Sequence, residues 1–240
     1  MGQKVTLVTG ASKGIGRAIA DHLADQGHHI VAISRSAPGD GFRGDFFAAD
    51  LSDAKDTADV LQRVTAQYAI DNLVNNAGLI KAQTLENASL EAFDQMIALN
   101  LRSLLQCAQA VLPAMKQKKH GRIVNLGSRA ALGKESRSIY GATKAAVVGF
   151  TRTWALELAP HGITVNCIAP GPIETELFRE GNPPGSPQAE KLIASIPVGR
   201  IGQPRDVAAA CAYLVSDDAG FITGQVLNLC GGLSVGLTPL

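Results

Sequence analysis

The chain has 240 residues, of which 46% are hydrophobic and 18% charged, and its formal net charge is +1. This composition is typical of a soluble globular protein, and the small net charge argues against attraction to nucleic acid or to a membrane surface. The four cysteines, Cys107, Cys167, Cys211 and Cys230, lie far apart without a CxxC pair, which predicts thiols in a reducing compartment and no bound metal.

The start of the chain and its apolar runs bear on location. The first strand-like run begins at Lys4, which leaves no room for a signal peptide. No apolar run approaches the ~20 residues that a membrane span requires. We therefore expect a cytoplasmic protein.

Strand-like and helix-like segments alternate along the chain. The strand candidates are apolar runs at 4–8, 29–33, 45–49, 71–75, 121–126, 162–168 and 224–229. The helix candidates lie at about 14–27, 53–68, 89–97, 100–118 and 138–160. The segment 170–190 is rich in proline and glycine and is predicted as a loop. Because loops of this length are often functional, we expect a substrate loop at about 170–195.

This alternation predicts the fold class. Strands that alternate with helices are typical of parallel βαβ units. Short, continuously apolar strands fit a sheet that helices cover on both faces. No linker or change of composition divides the chain. The sequence therefore predicts one α/β domain over residues 1–240, built on a doubly wound parallel sheet.

A glycine-rich turn, TGASKGIG at residues 9–16, joins the first predicted strand to the first predicted helix. Glycine permits a tight turn and a close approach of the backbone to a phosphate. The N-terminus of the following helix also attracts an anion. The spacing GxxxGxG departs from the common GxGxxG fingerprint, but the position of the turn favours a dinucleotide site.

The end of the second predicted strand bears on the choice of dinucleotide. Folds that bind NAD usually place an acid there, which holds the ribose 2′-hydroxyl. This chain has Ser34 and Arg35 at that point, and no carboxylate follows until Asp40. A cation favours a 2′-phosphate, so the sequence predicts NADP(H) in preference to NAD(H). A solvated surface charge is the alternative interpretation of Arg35.

A series of motifs resembles the short-chain dehydrogenase/reductase family over essentially the whole chain. The motifs are TGASKGIG (9–16), NNAG (75–78), Asn100, Ser128 after IVNLG, Tyr140-x-x-x-Lys144 and PGPIET (170–175). The branch that looks most similar is that of the 3-oxoacyl-(acyl-carrier-protein) reductases. The resemblance implies a Rossmann-type fold and hydride transfer between a nicotinamide cofactor and a carbonyl or secondary alcohol.

Tyr140 and Lys144 lie four residues apart in a predicted helix, so they share one face. Tyrosine alone holds its proton too tightly to act as a base near neutral pH. An ammonium group about 4 Å away favours the phenolate by ~4 kcal/mol at an effective dielectric constant of about 20. Tyr140 would then serve as general acid in reduction and as general base in oxidation. The resemblance also gives Lys144 a contact with the nicotinamide ribose; a helix-surface position for both residues is the alternative.

The resemblance assigns roles to Ser128 and Asn100 as well. Ser128 would donate a hydrogen bond to the substrate oxygen and stabilise developing charge. Asn100 would hold a water that links Lys144 to solvent. Both residue types also serve as simple helix caps. Ser128 and Tyr140 are twelve residues apart, one fewer than is commonest in the family, which predicts a shortened loop on the substrate side.

The same resemblance implies a cofactor site. Asp50 would meet the adenine ring, the turn 76–78 would pass over the adenosine ribose, and Ile173 and Thr175 would face the nicotinamide carboxamide. The implied site comprises Gly10, Ser12, Lys13, Gly14, Ile15, Gly16, Ser34, Arg35, Asp50, Leu51, Asn76, Ala77, Gly78, Tyr140, Lys144, Pro170, Gly171, Ile173 and Thr175.

Three classes of function stay open. The first is an NADP(H)-dependent reductase or dehydrogenase for a small or medium-sized carbonyl or alcohol. The second is a 3-oxoacyl-(acyl-carrier-protein) reductase. The basic run MKQKKHGR (115–122) could bind an acidic carrier, and the family's docking cations match Lys119 and His161; a solvated helix end is the alternative. The third is a dinucleotide-binding scaffold or sensor without activity, which the presence of both Tyr140 and Lys144 argues against.

Two further features concern substrate and assembly. Arg129, Lys134 and Arg137 lie between the predicted serine and tyrosine and could bind an anionic substrate, although loops are often charged for solubility. The predicted helices at 100–118 and 138–160 carry more apolar and small residues than one sheet face can bury. The resemblance pairs these helices across a two-fold axis and adds a contact at 221–235, so we expect a homotetramer.

Overall fold

The computed structural model describes residues 2–235 and contains a sheet of seven parallel strands. The strands are β1 (Val5–Thr9), β2 (His29–Ser34), β3 (Asp45–Ala48), β4 (Asn72–Asn75), β5 (Gly121–Leu126), β6 (Ile163–Pro170) and β7 (Val226–Leu229). The helices are α1 (Gly14–Asp25), α2 (Ala54–Gln67), α3 (Leu90–Ile97), α4 (Ser103–Lys118), α5 (Ser138–Leu158), α6 (Glu176–Gly181), α7 (Pro187–Ala194) and α8 (Pro204–Val215). The predicted α/β class and its parallel sheet are confirmed.

The order of the strands fixes where a ligand can bind. The strands lie in the order β3-β2-β1-β4-β5-β6-β7. The chain builds outward from β1 to β3 and then returns to place β4 on the other side of β1. At such a reversal the loops at the carboxyl ends of the two central strands separate and leave a crevice. The glycine-rich turn after β1 and the NNAG segment at the end of β4 therefore become neighbours.

Helices cover both faces of the sheet, and each face has its own apolar core. Neighbouring residues of a strand point to opposite faces. In β1, for example, Leu7 packs with residues of α2, α4 and α5, whereas Val8 packs with residues of α1 and α8. Both side chains are fully buried. This two-sided burial explains why the central strands are continuously apolar in sequence.

The prediction of a loop at 170–190 is wrong, because this part of the chain contains α6 and the start of α7. Neither helix shows a strong apolar period: α6 buries no residue, and α7 buries only Ala189. No helix is predicted from the sequence where α8 lies. Because nearly all residues of α8 after Asp206 are apolar, their sequence shows no clear helical period. Its start could have been recognised from Pro204 and from Asp206, whose carboxylate accepts a hydrogen bond from the Gln203 N–H at 2.7 Å.

The predicted helices at 89–97 and 100–118 form one nearly continuous helical stretch. A π-helical turn, Ala98–Arg102, joins α3 to α4. Such turns are often found at functional sites, and this one holds Asn100, which is 1% exposed. Neither this stretch nor any other helix within residues 2–235 combines the length and the apolar character that crossing a bilayer requires.

Candidate active site

A cavity of about 750 Å³ opens at the carboxyl edge of the sheet. Its floor includes Leu126 and Gly127 at the end of β5, and Pro170 at the end of β6. Residues after β4, at the start of α1 and in α6 and α7 complete its walls. The cavity therefore lies beside the crevice that the strand order creates.

Tyr140 and Lys144 occupy successive turns of α5 and both line this cavity. The Lys144 side chain is buried, with 5% of the residue exposed, and its Nζ donates a hydrogen bond of 2.7 Å to the Leu126 carbonyl. Lys144 Nζ lies 5.7 Å from the centre of the Tyr140 ring. The ammonium group is thus fixed beside the phenol, as the spacing in sequence predicts.

Ser128, on the loop that follows β5, lines the same cavity. It caps the 3-10 turn Arg129–Leu132, because its Oγ accepts a hydrogen bond from the Ala130 N–H at 3.1 Å. An accepting hydroxyl oxygen keeps its own hydrogen for donation. The capping and the catalytic interpretations of Ser128 are therefore compatible.

The short loop between Ser128 and Tyr140 packs against the start of α5. Gly141 permits this approach: a Cβ at that position would lie 3.0 Å from the Ala130 carbonyl oxygen. The twelve-residue spacing thus still brings Ser128 and Tyr140 to one cavity.

Asn100 connects the segment after β4 to α5. Its Oδ1 accepts from the Leu79 N–H at 2.7 Å, and its Nδ2 donates to the Leu79 carbonyl at 2.9 Å and to Thr143 Oγ1 at 3.1 Å. A Cβ on Gly78 would lie 3.5 Å from Asn100 Oδ1 and 3.6 Å from Lys144 Nζ. Asn100 and Lys144 therefore converge on the same small space beside Gly78.

Sequence reasoning missed Thr143, which fixes this arrangement from inside α5. Thr143 is 1% exposed, and its Oγ1 donates to the Tyr140 carbonyl at 2.8 Å while accepting from Asn100. The feature of the sequence that could have identified it is the threonine between the tyrosine and the lysine in YGATK. The Leu126 carbonyl was missed as well, because a backbone acceptor leaves no trace in sequence.

The glycine-rich turn fits a dinucleotide phosphate. Gly10 and Gly14 have φ values of +68° and +59°, which side-chain-bearing residues rarely adopt. A Cβ on Gly16 would lie 2.3 Å from the Gly10 carbonyl oxygen, so the turn packs directly on α1. The N-cap residue Lys13 makes no side-chain cap hydrogen bond, so the first N–H groups of this twelve-residue helix can bind an anion.

Asn76 holds the turn from the other side of the crevice. Its Nδ2 donates to the Thr9 carbonyl at 2.9 Å and to the Gly10 carbonyl at 3.1 Å. The N–H groups of Asn76 and Ala77 both donate to Thr9 Oγ1 at 3.0 Å. The Asn76 amide is therefore used to shape the glycine-rich turn, and the backbone of 76–78 is what faces the crevice.

The predicted residues near the adenosine end lie at the ends of β2 and β3. Arg35 is exposed, whereas Ser34 is buried and its Oγ donates to the Ser36 carbonyl at 2.9 Å. Hydrogen bonds from the Ser52 hydroxyl and N–H hold the pKa of the Asp50 carboxyl below its ordinary value, and the charge of Arg35 acts in the same direction. Leu51 packs in the core at 3% exposure, which leaves its backbone for a ligand.

The segment after β6 closes the site toward α1. A Cβ on Gly14 would lie 3.5 Å from Thr175 Cγ2. The Thr175 side chain caps α6 by accepting from the Phe178 N–H at 3.2 Å. Lys13 Nζ forms an ion pair with Glu176 at 3.2 Å. The glycine-rich turn and the start of α6 are thus held together.

The predicted residues divide between the cavity and its continuation along the carboxyl edge of the sheet. Those that line the cavity are Ile15, Asn76, Gly78, Ser128, Tyr140, Lys144, Pro170, Gly171, Ile173 and Thr175. Those outside its walls are Gly10, Ser12, Lys13, Gly14, Gly16, Ser34, Arg35, Asp50, Leu51, Ala77 and Asn100. The second group lies mainly on the glycine-rich turn and at the ends of β2 and β3, where the long axis of a dinucleotide would extend.

Comparisons with known proteins agree with this geometry. The family model described as enoyl-(acyl carrier protein) reductase matches residues 10–234. The 3-oxoacyl-[acyl-carrier-protein] reductase FabG of Vibrio cholerae is 38% identical over 239 residues, which cover 96% of this chain and 97% of that protein.

Solved structures show the same similarity. A short-chain dehydrogenase/reductase of Serratia marcescens superposes with a TM-score of 0.87 at 33% identity, over 97% of this chain and 98% of that one. A 3-oxoacyl (acyl-carrier-protein) reductase from Agrobacterium tumefaciens with bound NADP superposes with a TM-score of 0.88 at 31% identity, over 95% and 93% of the two chains.

Proposed function

The chain belongs to the short-chain dehydrogenase/reductase family and is an NAD(P)-dependent oxidoreductase; from this premise we propose that it transfers a hydride between NADP(H) and a carbonyl or secondary alcohol. The observation that carries the proposal is the single cavity that Ser128, Tyr140 and Lys144 all line. Its position at the carboxyl edge of the sheet is where this class of fold binds dinucleotides.

We assign the proton transfer to Tyr140. In reduction its hydroxyl donates a proton to the substrate oxygen, and in oxidation the phenolate takes that proton back. The Lys144 ammonium, 5.7 Å from the ring centre, stabilises the phenolate through its charge. When bound, the nicotinamide supplies the hydride in reduction and accepts it in oxidation.

Ser128 and Asn100 support this step in different ways. The Ser128 hydroxyl, which accepts from Ala130, donates its hydrogen to the substrate oxygen and stabilises the negative charge that develops there. Asn100 positions the segment after β4 and, through Thr143, the first turns of α5. A water beside Gly78 could then connect Lys144 to solvent, as the family resemblance implies.

NADP(H) is the proposed cofactor, with NAD(H) as the alternative. Arg35 is exposed at the end of β2, where a 2′-phosphate would lie. Its positive charge helps to lower the pKa of the Asp50 carboxyl. The similar reductase from Agrobacterium tumefaciens was solved with bound NADP. The glycine-rich turn and Arg35 would hold the phosphates, and Lys144 would contact the ribose next to the nicotinamide.

A homotetramer is the proposed assembly. Several large apolar side chains are exposed on the isolated chain: Leu156 on α5 at 80%, Phe221 at 104% and Leu227 on β7 at 45%. Exposed apolar groups of this size favour contacts with another protein surface. Two different faces, at α5 and at the β7 edge, fit the two interfaces of a tetramer with closed symmetry.

A cytoplasmic location is also part of the proposal. All four cysteines are free thiols, Cys107, Cys167, Cys211 and Cys230. Burial raises the pKa of the Cys107 and Cys211 thiols to about 12, which makes them unreactive. Unpaired, buried thiols fit a reducing compartment.

A 3-oxoacyl-(acyl-carrier-protein) reductase is the second candidate, favoured by the similarity to FabG of Vibrio cholerae. The predicted docking cations are adjacent in space, since a Cβ on Gly162, next to His161, would lie 2.2 Å from the Lys119 carbonyl oxygen. They lie at the amino ends of β5 and β6, on the edge of the sheet opposite the cavity. A carrier bound there would have to deliver its acyl arm around the sheet or to another subunit.

The deciding experiment is a steady-state screen of the purified protein. Ketones, aldehydes and 3-oxoacyl thioesters on coenzyme A and on carrier protein are each tested with NADPH and with NADH. The proposal expects carbonyl-dependent oxidation of NADPH. A preference for the carrier-bound thioester over the same acyl group on coenzyme A would favour the second candidate. Absence of carbonyl-dependent turnover across the whole screen would contradict both.

A further inference from the structure

The wall of the cavity between Ser128 and Tyr140 is strongly basic. We call residues 129–137 the basic segment; within it Arg129, Lys134 and Arg137 all line the cavity, and Glu135 is the one carboxylate among the lining residues. Lys144 is the only other charged residue among them. The proposed chemistry uses Lys144 but gives no task to the other three cations.

The basic segment is fixed in place at both ends. At its start, Arg129–Leu132 form a 3-10 turn capped by Ser128. At its end, the Gln83 N–H donates to the Ser136 carbonyl at 3.0 Å, and the Ser138 N–H donates to the Gln83 carbonyl at 3.4 Å. Ser136 also has a φ of +55°, which a non-glycine residue rarely adopts. The three cations therefore lie on a loop whose backbone is held by a capped turn and by hydrogen bonds to Gln83.

The three cations act on one another and lack acidic partners. Burial lowers the pKa of Lys134, and the positive charges of Arg137 and Arg129 lower it further. No carboxylate within residues 2–235 forms an ion pair with any of the three, although Glu135 is their neighbour in sequence. Uncompensated like charges at a partly enclosed surface favour binding of an anion.

The other wall of the cavity has a different character. Leu177 and Phe178 of α6 and Leu192 of α7 line it with apolar groups. Asn182 and Gln188 are the polar side chains that line the cavity from this part of the chain. A molecule bound in the cavity can therefore contact both the cations and these apolar side chains.

We propose that the substrate is a carbonyl or alcohol compound with an anionic group, a carboxylate or a phosphate, which Arg129, Lys134 and Arg137 bind while Tyr140 faces its reacting oxygen. This inference rests on the proposed function and specifies its substrate class. The anion would sit toward the basic segment, and the remaining carbon chain would lie against Leu177 and Phe178. The three cations are then specificity determinants and take no part in proton transfer.

The first test compares matched substrates with the purified full chain and saturating NADPH. One pair is 4-oxopentanoate and its methyl ester; the other is dihydroxyacetone phosphate and dihydroxyacetone. Since loss of a hydrogen bond to a charged group typically weakens binding about tenfold or more, we expect kcat/KM at least about tenfold higher for the anion of one pair. The pair that shows the difference identifies carboxylate or phosphate as the preferred anion.

The second test replaces the cations one at a time. Arg129→Gln, Lys134→Gln and Arg137→Gln should each lower the ratio of anionic to neutral kcat/KM, mainly through a higher KM for the anion, because binding is lost equally in the ground state and the transition state. Lys134→Arg keeps the charge and should restore the ratio. Arg205→Gln removes an exposed cation on α8 that does not line the cavity, and serves as the matched control.

A third measurement does not depend on turnover. Binding of pentanoate and of inorganic phosphate is measured by calorimetry in the presence of saturating NADP, which occupies the phosphate sites at the glycine-rich turn and Arg35, with 1-pentanol as the neutral reference. At least one anion should bind to the unmodified protein and bind more weakly to the three Gln variants. This inference is overturned if kcat/KM is equal within both substrate pairs, or if the Gln variants leave anion binding unchanged. The proposed function still stands in that case, provided that the protein reduces neutral ketones. Absence of all turnover overturns the proposed function, and the calorimetry then decides the anion site alone.

Discussion

Lys144 Nζ lies 5.7 Å from the centre of the Tyr140 ring and donates a 2.7 Å hydrogen bond to the Leu126 carbonyl at the end of β5. The helix spacing alone would allow the lysine to point into solvent. The bond to β5 instead holds the ammonium inside the cavity, between the sheet and the phenol. The contact with Leu126 therefore fixes the Lys144 ammonium beside the Tyr140 ring.

The first prediction concerns Tyr140→Phe. The substitution keeps the ring and its packing but removes the exchangeable proton. Turnover of a ketone with NADPH should fall by a factor on the order of 10²–10⁴, the usual contribution of general acid catalysis, and NADPH should bind nearly as before. Steady-state rates and NADPH fluorescence titration test the two parts. Tyr213→Phe, on the half-exposed Tyr213 of α8, is the control. Ordinary turnover in Tyr140→Phe would contradict the catalytic assignment.

Lys144→Met should be more harmful than Tyr140→Phe, because it removes both the charge beside the phenol and the proposed ribose contact. Methionine has a similar length and tolerates the buried position. We expect turnover to fall further and the Kd for NADPH to rise by about tenfold or more, as for loss of a charge-assisted hydrogen bond. Fluorescence titration measures the Kd, with Lys116→Met on α4 as the control. An unchanged Kd would show that Lys144 makes no important contact with the nicotinamide ribose.

Arg35→Asp should reverse the cofactor preference. The unmodified protein should have a higher kcat/KM for NADPH than for NADH, because the exposed cation at the end of β2 attracts the 2′-phosphate. A carboxylate at this position repels that phosphate and can hold a ribose 2′-hydroxyl instead. The ratio of the two kcat/KM values should therefore fall by about tenfold or more. Arg205→Asp makes the same charge change on α8 and is the control, which should leave the ratio unchanged. A preference for NADH in the unmodified protein would sink the prediction.

Gly16→Ala tests the close packing of the glycine-rich turn. The new Cβ would lie 2.3 Å from the Gly10 carbonyl oxygen and 2.4 Å from Asn76 Nδ2, so the backbone of the turn must move. Overpacking of this kind typically costs about 1–3 kcal/mol, and we expect a lower Tm together with weak NADPH binding. Gly39→Ala is the control, since no heavy atom lies within 4 Å of its added Cβ. Equal Tm and Kd in the two variants would show that the turn is loosely packed.

The fifth prediction concerns assembly. Light scattering at micromolar concentration should give four times the mass of one chain. Phe221→Asp places a charge on a fully exposed apolar side chain near β7, and it should shift the mass toward a dimer if the β7 edge forms one of the two interfaces. Lys55→Met, on the exposed Lys55 of α2, supplies a control away from the helices and the edge that the tetramer would use. A monomer mass for the unmodified chain would refute the tetramer.

The strands were predictable because each central strand is buried on both faces. In β5, all six residues from Gly121 to Leu126 are buried, and such a run is visible in sequence without knowledge of its neighbours. The same reasoning failed for α6 and α7, which bury almost nothing in the core. The apolar residues of these two helices, such as Leu177 and Phe178, line the cavity. Their spacing along the chain therefore does not show the period of a helix packed on the core.

The sequence by itself determined the individual strands, the glycine-rich turn after β1 and the shared helix face of Tyr140 and Lys144, because each depends on residues within a few positions of one another. Only the tertiary structure decided that Lys144 meets the Leu126 carbonyl, that Asn100 reaches Thr143, and that the cations of residues 129–137 line the same cavity as apolar residues of α6 and α7. These contacts join segments that are distant along the chain, and they follow from the strand order β3-β2-β1-β4-β5-β6-β7. The parallel orientation brings the carboxyl ends of the strands to one edge, and the strand order decides which loops are neighbours there, which no local periodicity encodes.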